Sequence, residues 1–230
     1  MWTGIPTIIE RFAQEPKVRV VVLTGQGIGA FSAGADISEF DNNRASGESG
    51  QSYERVTEAA FDSLYHCAKP VVAAIRGICF GGGFALALAC DLRLASDDAR
   101  FCIPAGKLGI GYGNSLTSAL VKRLGAGTAA DVLLTAQVYT ASEALARGIV
   151  QRTAVPEKFD ALVASYVTMM SDNAPLSATA AKIAIRATID NDDAARAEAE
   201  RAFALCMRSE DYKEGRKAFA EKRKPQFQGK

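Results

Sequence analysis

The 230-residue chain contains a single histidine, His66, and a single tryptophan, Trp2. A metal centre built on imidazole needs partners that this sequence does not supply, so His66, just before the breaker pair Lys69-Pro70, is given a structural place. The five cysteines, Cys67, Cys79, Cys90, Cys102 and Cys206, show no CxxC spacing. That argues against a zinc ribbon or a disulfide framework and for buried thiols in a reducing compartment. An excess of charge of one sign is also missing: Lys plus Arg number 27 against 26 Asp plus Glu, a formal net charge of +1. Such a balance gives no electrostatic basis for binding nucleic acid or an anionic membrane. No basic-then-apolar leader opens the sequence, and its most apolar window, Val71 to Cys90, is broken by Arg76 and by glycines, which argues against a membrane span. The expectation is a cytoplasmic protein that holds no metal.

What is present is ordinary globular material, 48% hydrophobic and 23% charged, enough for a full core. Thr7 to Phe12 have helical spacing, and the β-branched run Val18 to Thr24 reads as a buried strand. After a glycine-rich turn and the segment Phe31 to Phe40, the polar tract Asp41 to Ser52 reads as a mobile surface loop. Helical spacing returns at Glu54 to Tyr65. A second short buried strand, Pro70 to Ile75, leads through glycines into a helix of small residues that ends near Asp91. Leu92 to Ala95 and Arg100 to Ile103 are further strands. Helical periods then dominate: Leu116 to Leu124, Thr128 to Leu134, Ala141 to Ala146, Phe159 to Met170, and a last quarter that is all helix. A strand-rich first half and a helix-only tail predict a core with a docking arm.

Two glycine-rich turns follow two strands. The first, Gly25-Gln26-Gly27-Ile28-Gly29-Ala30, fits the dinucleotide pattern GxGxxG/A, but that chemistry needs a helix starting in the turn and a second strand beyond it, and the sequence shows neither. Glycines can instead bring bare backbone N–H groups close to a ligand. One such group at Ala35 and another at Gly82, where a helix begins, would form an oxyanion hole for charge developing on a carbonyl. The alternative is that Gly81-Gly82-Gly83 only lets helix pack tightly against strand. Local sequence leaves both open.

The segments VRVVVLTG (18–25), FSAGADI (31–37), KPVVAAIRG (69–77), GGGFALALACDLRLAS (81–96), ASEALARGIV (141–150) and EGRKAFAEKRKPQF (214–227) resemble the crotonase superfamily, the enoyl-CoA hydratase/isomerase family, along nearly the whole chain. The resemblance implies an α/β fold, a spiral of ββα turns over residues 1–172, without the strand pair that usually precedes the first helix. It also implies an all-helical oligomerisation arm over residues 173–230, building a homotrimer or a dimer of trimers. It implies acyl-CoA thioester substrates, with coenzyme A as part of the substrate and no other cofactor. Ala35 and Gly82 become the oxyanion-hole donors, with Ala33, Asp36, Ile37, Gly81, Pro104, Ala105 and Gly109 lining the acyl-CoA site. Lys222, Arg223 and Lys224 are candidates to approach CoA phosphates, with a solvated helix end as the alternative.

Two departures from the family pattern bear on the reaction. The positions of the two hydratase glutamates are occupied by Ala85 and Ala105, and neither can move a proton, a contribution of about 100- to 10,000-fold per positioned group. Tyr112, in the loop Leu108 to Ser115, is placed like the tyrosine of malonyl-type CoA decarboxylases. Decarboxylation needs enolate stabilisation but no base to remove a proton. The expectation is therefore an acyl-CoA enzyme working through a thioester enolate. The alternatives are a malonyl-type decarboxylase or enoyl-CoA isomerase, or an inactive CoA-binding, oligomeric relative.

Overall fold

The computed structural model describes residues 1–27, 29–34 and 47–230. In chain order the elements are α1 (Gly4–Gln14), β1 (Val21–Thr24), β2 (Ala30–Ser32), α2 (Gly47–Tyr65), β3 (Val71–Ile75), β4 (Ile78–Phe80), α3 (Gly82–Ala89), β5 (Leu92–Ser96) and β6 (Arg100–Cys102). They continue, after a 3-10 turn at Ala105–Leu108, with α4 (Asn114–Thr135), β7 (Tyr139–Thr140), α5 (Ala141–Ala146), β8 (Arg152–Ala154), α6 (Pro156–Ser171), α7 (Pro175–Asp190), α8 (Asp193–Arg208) and α9 (Glu210–Ala220).

The strands form two four-stranded sheets, β1-β3-β5-β8 and β2-β4-β6-β7. Each turn of the chain gives one strand to each sheet in succession, which makes the fold a ββα spiral. Pairing is parallel for β3–β5, β5–β8, β2–β4 and β4–β6, and antiparallel for β6–β7. All five residues of β3 are buried, which is why its sequence is a continuous apolar run and not an alternating one. Helix α3 is buried from Gly83 to Ala89. Small residues suit it, because neighbouring elements can then approach on every side. Phe84 from this helix meets Phe101 of β6 edge to face, 6.1 Å between ring centres.

The chain divides into two compact units: Met1–Glu15, Val22–Cys67 and Val71–Val163 make one, and Pro16–Val21, Ala68–Pro70 and Ala164–Lys230 the other. In the second unit α7 and α8 pack together, joined through Asn191 in the left-handed conformation and capped by Asp192, which accepts from the Ala194 N–H at 2.9 Å. Buried Asp211 accepts from the backbone N–H groups of Gln228 and Gly229 at 2.7 and 2.8 Å. This holds the tail by charge-assisted bonds.

The structure corrects the sequence reading in three places. Of the polar tract expected to be a loop, residues 47–52 are the first turns of α2; residues 41–46 lie outside the described residues. Ala60, Phe61 and Leu64 anchor the far end of that helix in the core, and packing of one face carries polar turns along with it. Strands β2, β4, β7 and β8 were not legible, since two or three residues are too few for a period to register. Cys206 is half-exposed while the other four cysteines are buried. Gly125, with φ 80°, interrupts α4 between the two helical segments that the periodicity indicated. No helix among the described residues is long and apolar enough to cross a membrane.

Candidate active site

Parallel neighbours in a sheet end at the same edge, so the segments that leave their carboxyl ends emerge side by side, a usual place for ligands in α/β folds. In the second sheet Ser32 is in register with Cys79, and Phe80 with Cys102. The three strands therefore release Ala33-Gly34, Gly81-Gly82 and Ile103-Pro104-Ala105 at one edge. The Gly81 N–H donates to the Cys102 carbonyl at 2.8 Å, extending the ladder into the glycines.

The two glycine segments meet. Gly34, at φ +96°, lies so close to the other segment that a Cβ there would stand 3.0 Å from the Phe80 carbonyl oxygen and 3.1 Å from the Gly82 nitrogen. The three glycines of the triplet have different reasons to be there. Gly81 adopts φ +51° as the N-cap of α3, a region that side chains avoid. A Cβ on Gly82 would meet Cη2 of the Trp2 indole at 2.7 Å, and one on Gly83 would meet Cβ of Ser32 at 2.5 Å. Tight packing is real at Gly83. The Trp2 ring crowds Gly82 as well, whereas nothing lies within 4 Å of a Cβ on Gly81; both of these glycines line a cavity. Gly82 is the first residue of α3, and the N–H groups of a helix's first turn have no intrahelical acceptor and face the positive end of its dipole.

The cavity has a volume of about 460 Å³, within the range of small-molecule sites. Of the residues expected at the site, Ala33, Gly81, Gly82, Pro104, Ala105 and Tyr112 line it. Ala35, Asp36 and Ile37 lie outside the described residues. Gly109 is not part of the lining; it ends the 3-10 turn at φ 65°. Ala85 is buried one turn into α3, its N–H donating to the Gly81 carbonyl. Ala105, in contrast, puts only a methyl group on the cavity wall.

Polar character comes from other elements. The Tyr112 hydroxyl is enclosed and has no hydrogen-bond partner among the described residues, and burial raises its pKa above the ordinary phenol value. From α2, Glu54, Thr57 and Glu58 line the cavity. The Ser115 hydroxyl donates to Oε1 of Glu58 at 2.5 Å. Sequence reasoning gave α2 no part in the site. The available signal was Glu54 and Glu58, four residues apart and hence on one helical face. Trp2 was missed as well, and no local pattern pointed to it.

His66 stacks edge-on against Tyr65 at 5.1 Å. Within the helical unit, Arg223 pairs with Glu214 and Glu221, and Lys224 with Asp172, so both basic groups have carboxylate partners.

A ββα spiral whose second sheet brings two glycine-rich backbone segments together beside a cavity is the architecture of the crotonase superfamily. The sequence profile of the enoyl-CoA hydratase/isomerase family matches residues 2–230, and the chain belongs to that family. It is 36% identical over 218 residues to the short-chain-enoyl-CoA hydratase of Clostridium acetobutylicum, covering 94% of this chain and 83% of that protein. With the carnitinyl-CoA dehydratase of Salmonella arizonae it shares 35% identity over 224 residues, 95% of this chain and 84% of the other. Its fold superposes on the crystal structure of an enoyl-CoA hydratase/carnitine racemase from Magnetospirillum magneticum with a TM-score of 0.93 at 34% identity, covering 100% of this chain and 86% of that one. It also superposes on an enoyl-CoA hydratase from Bacillus anthracis with a TM-score of 0.92 at 30% identity, covering 100% and 88%.

Proposed function

We propose that this family member acts on acyl-CoA thioesters by holding an enolate-like intermediate between the backbone N–H groups of Gly82 and Ala35. The observation that carries the reading is the approach of Gly34 to Gly82 at the mouth of α3, which puts two main-chain segments bare of side chains against one another. Ala33, Gly81, Pro104 and Ala105 then surround the acyl group; Asp36, Ile37 and Gly109 remain substrate-binding candidates. With alanine at 85 and 105, efficient hydration of an enoyl thioester is not the expected reaction. Chemistry that runs on enolate stabilisation suits the site better.

Gly82→Pro tests the donor. Proline is tolerated as the first residue of a helix, where its missing N–H breaks no helical bond, so the substitution removes the donor. The expected result is a folded protein whose turnover of its acyl-CoA falls by about 100- to 1,000-fold. Unchanged turnover refutes the oxyanion role.

The enclosed, unpartnered hydroxyl of Tyr112 favours one second reading, a malonyl-type decarboxylase in which that phenol faces the leaving carboxylate or the enolate. An inactive CoA-binding relative is the third, and detectable turnover abolished by Gly82→Pro excludes it. Assembly as a homotrimer or dimer of trimers through the helical unit is supported by the exposed Phe203 and Phe219. A monomeric mass in light scattering refutes it.

A further inference from the structure

We infer that Glu58 is the proton-transfer group of this cavity and that Ser115 is its positioning residue; the inference rests on the acyl-CoA reading above. The wall where a titratable group is expected carries Ala105, and Ala85 is buried behind Gly81. The opposite supply of carboxylates is α2, and it delivers Glu54 and Glu58 to the same cavity as Gly81 and Gly82. Glu54 is exposed whereas Glu58 is half-buried, and Glu58 accepts a hydrogen bond from another lining residue, the Ser115 hydroxyl, at 2.5 Å. Ser115 sits in the first turn of α4, next to the loop that carries Tyr112. That bond orients one carboxylate oxygen and links two separate elements at the site. An enclosed hydroxyl with no partner among the described residues, that of Tyr112, is costly to maintain for structure alone, and Tyr112 and Glu58 line the same space of ligand size.

A single carboxylate opposite an oxyanion hole is sufficient for a proton shift along an unsaturated acyl chain. The Glu58 carboxylate takes a proton from C2 of a 3-enoyl thioester; the C–H electron pair moves into the thioester, giving a dienolate whose oxygen the backbone donors hold. The new carboxylic acid returns the proton to C4 as the carbonyl re-forms and the double bond settles between C2 and C3. No water, oxidant or second acid is consumed. Hydration would need a water to be held and activated as well, a task for which hydratases of this family use two carboxylates.

The test uses trans-3-hexenoyl-CoA in deuterium oxide, followed by NMR for the conjugated isomer and for deuterium at C2 and C4, with hexanoyl-CoA binding measured by calorimetry on the same samples. For the wild-type chain we expect isomerisation and exchange. Glu58→Gln should lower kcat by about 100- to 10,000-fold while hexanoyl-CoA binds with unaltered affinity, which also shows that the variant is folded. Ser115→Ala should lower kcat with KM unchanged, and Ser115→Thr, which keeps the hydroxyl, should restore it. Glu58→Gln with wild-type exchange overturns the inference and leaves the oxyanion reading standing. A wild-type chain that binds hexanoyl-CoA but neither exchanges nor isomerises also overturns it. If the wild-type chain binds no hexanoyl-CoA, the acyl-CoA reading falls and this inference with it.

Discussion

Gly34→Ala is the sharpest probe of the meeting between the two glycine segments. The new Cβ would stand 3.0 Å from the Phe80 carbonyl oxygen and 3.1 Å from the Gly82 nitrogen, so one backbone or the other must yield by a few tenths of an ångström, at a φ of +96° that side chains rarely adopt. The conformational strain alone costs about 1–3 kcal/mol, and for a chain of this size each kcal/mol lowers Tm by about 2–4 °C. Gly27→Ala is the matched control: its φ is +77°, but nothing lies within 4 Å of the added methyl group. Both variants should therefore lose some thermal stability. Only Gly34→Ala should also lose turnover, up to the roughly 100- to 1,000-fold that removal of one oxyanion donor costs, because donors must stay about 2.7–3.1 Å from the charged oxygen. Calorimetric melting and steady-state kinetics on the three proteins measure both quantities. If Gly34→Ala matches Gly27→Ala in Tm and the wild type in kcat, the two segments do not form a working pair.

Tyr112→Phe should separate stability from function, since an enclosed hydroxyl with no partner among the described residues carries a desolvation penalty of about 1–3 kcal/mol. The variant is expected to melt at or above the wild-type temperature while acyl-CoA turnover declines, and a drop in Tm would show that the hydroxyl is structurally satisfied. Glu214 offers a test by pH: the side-chain hydrogen bond from Arg223, and then the backbone N–H of Gln226, hold its carboxyl down to about 2, below its ordinary 4.5. A carboxyl depressed on folding contributes stability that is fully present above the unfolded value and is lost as pH falls through the folded one. Acid melting curves of the wild type should therefore show a loss between about pH 4.5 and pH 2 that Glu214→Gln lacks. Parallel curves for the two proteins would show that the pairing contributes nothing to folding.

Much of the architecture was readable before any coordinates. The run Val71 to Ile75 announced a strand buried on both faces because every residue in it is apolar, and the small residues of Gly82 to Ala89 announced a helix enclosed by its neighbours. The six family segments gave the spiral and the helical tail, and alanine at positions 85 and 105 placed the reaction in question. Short range is the common property of these signals. Strands β2, β4, β7 and β8 escaped because two or three residues cannot display a period, and the polar turns of residues 47–52 looked like loop because their helix is held by packing farther along, at Ala60, Phe61 and Leu64.

The sequence by itself determined which stretches could be buried and where backbone is left bare of side chains, since each of these is a property of neighbouring residues. Tertiary structure alone decided that Gly34 lies against Gly82 across almost fifty residues, because that depends on parallel strands finishing at one edge of a sheet in register. It alone brought Glu58 and Ser115, fifty-seven positions apart, into hydrogen-bond contact on the wall of one cavity. A contact between distant residues is set by the packing of whole elements, and no local pattern carries that information.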